Sequence, residues 1–381
     1  MAVGYAAALV GGCLVPDSCL PLPPPAPKGE VGSPPIGPGR EGARGRGSGR
    51  PTPRMSGPGA PLPRGAVARL GGPRPGQQVR GVHNCAVTAV AQSPRVGMAA
   101  TGGADGSVGV WKVRTGELIS WIDQVPGRVN AIAFSPNSRV IVTGRSRVAA
   151  DQSQRTVHLW EVTEGRLIRA LVHYAPVLAV AQSPNGGVFV TGGQLADDRG
   201  ETRPSAIRFW DISTGELLRE SYGHRGSVRS LSYSGDGQLL ASGGDGGEVR
   251  VWDPGTGEAL RTLAGQVGPV RSVVFSPRGN LLASSDGQSL WIWNLASGLP
   301  WIKQRLEEGE LGALAFFPSG KYLASGGDKL RIWSASSGAQ VKELAGHQGA
   351  IRDLAVSSDG RLLVTGSADR TALVWKFKLG T

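Results

Sequence analysis

Histidine and cysteine are scarce in this chain, five and three among 381 residues. Cys13, Cys19 and Cys85 are too few for a disulfide framework and are read as thiols of a reducing compartment. The histidines fall in no HExxH pattern and no paired Cys-x-x-Cys accompanies them, so neither a metal nor another cofactor is expected. Walker loops and nucleophile elbows are also missing, which removes the commonest signatures of phosphate and acyl chemistry. No apolar run reaches the roughly 18 residues that a membrane-spanning helix requires. Phe and Tyr are few, seven and five, whereas Trp numbers ten.

Seven of those tryptophans, Trp111, Trp160, Trp210, Trp252, Trp293, Trp333 and Trp375, recur at intervals of 49, 50, 42, 41, 40 and 42 residues. Each closes a short β-rich run such as VGVW, VHLW, VRVW or ALVW. A period near 40 residues marks a repeated supersecondary unit, and seven such units account for the chain from about residue 76 onward. Gly is abundant, 59 residues, as expected if each unit turns tightly several times.

The segment before the array has a different composition. Residues 1–75 hold 16 Pro, 16 Gly and nine Lys/Arg against three Asp/Glu, so half of the formal net charge of +12 lies there. So few large apolar residues cannot offset the entropy of ordering, and residues 1–75 are expected to form a disordered Pro/Gly/Arg-rich tail. The early stretch AVGYAAALVGGCLV leaves export open, with VGGC as a loose lipoprotein cleavage box, but no Lys or Arg precedes it. Initiation at Met55 is a further alternative. The expected placement is cytoplasmic.

The last unit, GHQGAIRDLAVSSDGRLLVTGSADRTALVW, shows the pattern most clearly. IRDLAV alternates apolar and polar residues, a DG turn follows, then RLLVTG, an Asp-containing turn and TALVW. A fourth strand follows a Gly-containing turn, as in STGELLRE after Trp210. Four short strands per unit and seven units make an all-β propeller pattern. Over residues 76–381 the chain resembles the WD40 repeat family, in its Gly-His starts, FSP turns, (S/T)GG–D turns and terminal Trp-Asp dipeptides.

That resemblance implies a seven-bladed β-propeller closed by residues 76–82, GQQVRGV, which would supply the outer strand of the last blade. It also implies a His–Ser/Thr–Asp–Trp hydrogen-bonded chain inside each intact blade. Unit one carries His83, Thr101, Asp105 and Trp111, and unit seven carries His347, Thr365, Asp369 and Trp375. Unit four offers a partial set, His224, Ser242, Asp245 and Trp252. In units two, five and six the histidine position falls on Val125, Gln266 and Glu307, and in unit three an insertion replaces the Asp turn after His173. These histidines, and His158 in VHLW, are read as structural. Asp105, Asp245, Asp286, Asp328 and Asp369 recur once per unit, which points to turn chemistry rather than to a ring of metal ligands.

With no catalytic constellation, the expected function is non-enzymatic: a scaffold that presents propeller loops to a protein or peptide, as an otherwise monomeric ring. The two long Trp intervals arise from enlarged connections at 145–156 and 193–206. Their charged residues Arg147, Asp151, Arg155, Asp197, Asp198, Arg199, Glu201 and Arg203 are the candidate partner contacts, since function concentrates in loops on a rigid scaffold. One alternative is a nucleic-acid-associated factor that uses the Arg-rich tail as a polyanion arm. An exported propeller enzyme is a further alternative, though no acid/base pair supports it. Alternation places Trp291 and Trp293 on one blade face, and Trp301 in an outer strand.

Overall fold

A computed structural model describes residues 62–70, 83–95, 97–123, 127–146, 155–173, 175–193 and 205–377. All regular structure among them is β-strand, arranged as seven antiparallel sheets of four strands. The innermost strand of each sheet lies beside that of the next, and the last, Ile351–Val356, lies beside the first, Val87–Gln92, so the sheets form a closed seven-bladed propeller.

One repeated close approach holds neighbouring blades together. Near the end of the second strand a glycine faces the first apolar residue of the next blade's innermost strand. A Cβ at Gly102 would lie 2.5 Å from Val129, at Gly144 2.4 Å from Val177, and at Gly243 2.3 Å from Val270. At Gly366 it would lie 2.6 Å from Val87, which closes the circle from blade seven to blade one. Blade five has Ser285 at this position, and its hydroxyl donates to the Gly312 carbonyl of blade six at 2.7 Å. Valines, isoleucines and leucines flanking these contacts form the buried clusters between blades. Burial of this kind stabilises by about 25 cal/mol per Å² of apolar surface.

At the periphery, the third and outermost strands of every blade share a bulge opposite the repeat Trp. The extra residues are Ile119, Ile168, Leu218, Leu260, Trp301, Val341 and Val67. Such a bulge re-aims the following side chains. The next residue reaches the neighbouring turn: Arg169 donates to the Ser213 carbonyl at 2.9 Å, Arg219 to Pro254 at 3.3 Å and Arg261 to Ala296 at 3.4 Å.

The ring closes with a different strand from the one expected. The third strand of blade seven, Ala372–Lys376, pairs with Ala66–Leu70. Residues 76–82 lie outside the described residues, and the ring includes Ala66–Leu70, which the composition assigns to the tail. Ala66, Ala68 and Leu70 pack into the clusters of blade seven and its neighbour, Leu70 being buried.

The blade seven to blade one seam carries two further bonds. The Asp353 carboxylate accepts the Val90 N–H at 2.7 Å, and the Gln92 amide donates to the Ala355 carbonyl at 2.9 Å. Ser230 and Ser272 stand at the position of Asp353 in blades four and five and accept the equivalent N–H groups of Val273 and Leu314.

Candidate functional site

The polar chain inside the blades uses most of the groups that chemistry could otherwise recruit. In all seven blades the repeat Trp Nε1–H donates to a Thr or Ser hydroxyl of the second strand, at 2.7 to 3.1 Å. Blade seven has the complete implied set: His347 Nε2 meets the Thr365 hydroxyl at 2.7 Å and His347 Nδ1 meets Asp369 at 2.9 Å. Asp369 also accepts the Gln348 N–H. Burial raises its carboxyl, but the bond from His347 overrides this and brings it down to about 2. An ionised Asp369 requires Nδ1 to donate, which leaves Nε2 to accept from Thr365.

Blade one is a variant of this set. His83 Nε2 meets Thr101 at 2.8 Å, but Nδ1 meets the Ser107 hydroxyl at 2.7 Å, and Ser107 in turn bonds Asp105. Asp105 stands 3.8 Å from the ring and accepts the Asn84 N–H. In blade four, His224 and Ser242 pair at 2.6 Å as implied. The acid, however, is Glu248 rather than Asp245. Glu248 lies 3.4 Å from His224 Nδ1 and accepts the Arg225 N–H, whereas Asp245 pairs with exposed Arg229. A sequence signal for this exists: Ser107, Glu248 and Thr371 all stand four residues before their Trp, and Thr371 also contacts His347 Nδ1, at 3.2 Å.

The remaining blades replace the histidine or its partners. In blade three His173 Nδ1 donates to the Ala175 carbonyl at 2.8 Å, and Arg208 donates to Nε2 at 3.0 Å. Burial, then the Arg208 charge, press its pKa down to about 3, so the ring is neutral. Arg208 is balanced by Glu220 across the strand pair. In blade five Gln266 donates to Ser284, filling the histidine's place. Glu307 of blade six is exposed, and Val125 of blade two lies outside the described residues. Blade two instead buries Arg145, whose guanidinium donates to the Gly127 carbonyl at 2.7 Å. His158 is buried and stacks on Trp160 with ring centroids 5.7 Å apart.

Asp286 and Asp328 are committed to local bonds, whereas Asp245 is taken by Arg229. Asp286 accepts the Gln288 and Ser289 N–H groups and the Trp291 indole, while Asp328 accepts the Glu310 N–H and a two-pronged bond from Arg331. Among the described residues no group of three or more His, Cys, Asp or Glu side chains could hold a metal ion. No helix among them is long and apolar enough to cross a membrane. Cys85 is buried, and Cys13 and Cys19 lie outside the described residues.

A family model described as WD domain, G-beta repeat matches residues 76–112, 122–161, 215–253, 257–294 and 338–376, just over half of the chain. The chain belongs to the WD40 repeat family. The units ending at Trp210 and Trp333 fall outside the matched spans, and in both an arginine two residues before the Trp bonds an acidic group, Glu220 or Asp328. Protein ROOT INITIATION DEFECTIVE 3 of Arabidopsis thaliana is 26% identical over 71% of this WD40 chain and 64% of its own length. A guanine nucleotide-binding protein subunit beta of Oryza sativa subsp. japonica is 26% identical over 72% of the chain and 60% of its own. Angio-associated migratory cell protein of Homo sapiens is 31% identical over 52% and 44%. The chain thus spans less than two thirds of the length of these curated relatives.

The geometry also locates the enlarged connections of this WD40 ring. Between second and third strands, five blades have two to four residues, whereas blade two has nine and blade three has twelve. These two blades are neighbours, and both connections leave the same end of the ring. Arg147, Asp151, Asp197, Asp198, Arg199, Glu201 and Arg203 lie outside the described residues, as does the side chain of Arg155. Trp291 and Trp293 stack at 5.2 Å on one face, as alternation requires.

Proposed function

We propose that this WD40 ring is a non-enzymatic scaffold that captures a protein or peptide with the adjacent long connections of blades two and three. The observation that carries the reading is their length, nine and twelve residues against two to four elsewhere. The blade interior supports it from the other side: its histidines, hydroxyls and indoles bond one another rather than converge on a cavity. The relative named as a guanine nucleotide-binding protein subunit beta is by that name part of an assembly, which fits a scaffold role here too. Arg147, Asp151, Arg155, Asp197, Asp198, Arg199, Glu201 and Arg203 are the proposed contacts.

Reversing the charges within 193–206 is expected to abolish partner capture in a pull-down with full-length protein while leaving thermal melting unchanged. Capture retained by a normally melting variant overturns this assignment.

A further inference from the structure

A second surface lies at the other end of the ring and is independent of the loops of blades two and three. Nine of the ten tryptophans are buried or half-buried, and Trp301 is 60% exposed. It occupies the bulge of the outermost strand of blade five, a position that the other six blades fill with Val, Ile or Leu. An aliphatic side chain therefore meets the needs of the fold at this position. The indole adds one bond, from Nε1 to the Ser336 carbonyl in the turn of blade six, at 3.4 Å. The rest of its area faces outward beside Leu299, which is 66% exposed. Exposed tryptophan flanked by apolar surface is the composition from which binding hot spots are built.

Charge around it is of one sign. At this end of the ring the turns of blades five and six contain Arg278 and Lys321 and no carboxylate. The outermost strands add Lys303 and Lys342, while Glu343 is already held by Lys329 and Arg331, and Arg305 turns to Gln288 at the opposite end of the ring. Lys303 is exposed, with its Nζ 4.3 Å from the centre of the buried Trp291 ring. The corresponding turns of blades three and four carry Asp211, Glu216, Asp236, Asp253 and Glu258, which are answered in part by Arg169 and Arg219 reaching in from the neighbouring outermost strands. The exposed cations of blades five and six complement an acidic segment better than the carboxylate-bearing turns of blades three and four do.

We propose that the rim of blades five and six, centred on Trp301 and Leu299, docks an acidic segment of a partner protein through an apolar anchor. The test is a selection of random displayed peptides on the full-length protein, each recovered peptide then being measured by fluorescence anisotropy on Trp301→Val. Valine is the residue that blade six uses at this position, so folding is expected to survive, and Leu299→Asp provides a second variant. Peptides rich in Asp and Glu with one Trp, Phe or Leu are expected. Their affinity should fall about tenfold or more in either variant, fall with added salt, and be unaffected by charge reversal within 193–206. Recovery of no peptide that distinguishes wild type from Trp301→Val, or of basic peptides that do, overturns the proposal.

Discussion

In blade seven, His347 stands between the Asp369 turn and the Thr365 hydroxyl, and Ser367 donates to the Gly349 carbonyl at 2.9 Å. Blade two has valine at the histidine position, and Arg145, the counterpart of Ser367, donates to the equivalent carbonyl of Gly127 at 2.7 Å. Both blades keep the Trp-to-threonine bond, Trp375 to Thr365 and Trp160 to Thr143. The comparison separates what a blade requires from what it merely accommodates. The indole–hydroxyl pair joins the second and third strands in every blade, whereas the polar groups around it differ from blade to blade. Blade seven differs in a second way, because it is assembled from both ends of the array and blade two from one continuous stretch.

That second difference gives the largest expected effect. A chain shortened to begin at residue 72 lacks Ala66–Leu70 and leaves the third strand of blade seven unpaired along one edge. Its melting midpoint is expected to fall by about 10 °C or more, while a chain beginning at residue 62 melts like the full-length protein. Equal melting of the two shortened chains would show that another segment closes the ring.

Closure is also where the sequence was least legible. Trp spacing, strand alternation and turn residues report the blade count because each is local and repeats seven times. The closing strand occurs once, AVARL is flanked by Pro and Gly, and its partner lies some 300 residues away, so no local periodicity marks it. The acid of blade four was misread for a related reason. Asp245 has the right chemistry in the turn, but distance to His224 decides the role, and only the register four residues before the Trp places Glu248 there. Gln266 shows in the sequence as a replacement at the histidine position, whereas Arg145 and Arg208 stand at positions that the repeat pattern does not define, so their roles are visible only in the structure. Trp301 could be placed in an outer strand from sequence, yet its exposure depends on a bulge that the sequence does not announce.

A smaller effect tests the indole–hydroxyl pair itself. Thr365→Val in blade seven leaves the Trp375 N–H and the His347 ring without their partner, whereas Thr143→Val in blade two orphans the Trp160 N–H alone. Each unsatisfied buried group costs roughly 1–3 kcal/mol. Denaturant unfolding should therefore show blade seven losing about twice as much stability as blade two. Equal losses would mean that His347 contributes nothing beyond what Arg145 supplies in blade two.

The smallest expected effect concerns the seam through which blade seven meets blade one. Burial pushes the Asp353 carboxyl up to about 7, against the Val90 and Leu354 N–H groups that favour its ionised form. A carboxyl whose folded pKa exceeds its ordinary value of 3.8 holds its proton more tightly when folded. Its contribution to stability is therefore full below pH 4 or so and is lost as pH rises through about 7. Asp353→Ser copies the residue that makes the equivalent bond in blades four and five, and it does not titrate. From about pH 4 to about pH 8 the stability of the serine variant relative to wild type should rise by on the order of 1–3 kcal/mol, measured as the difference between two urea titrations so that titrations common to both proteins cancel. A difference that stays flat across that range would mean that Asp353 remains ionised in its buried site, held by the two backbone N–H groups strongly enough to offset its desolvation.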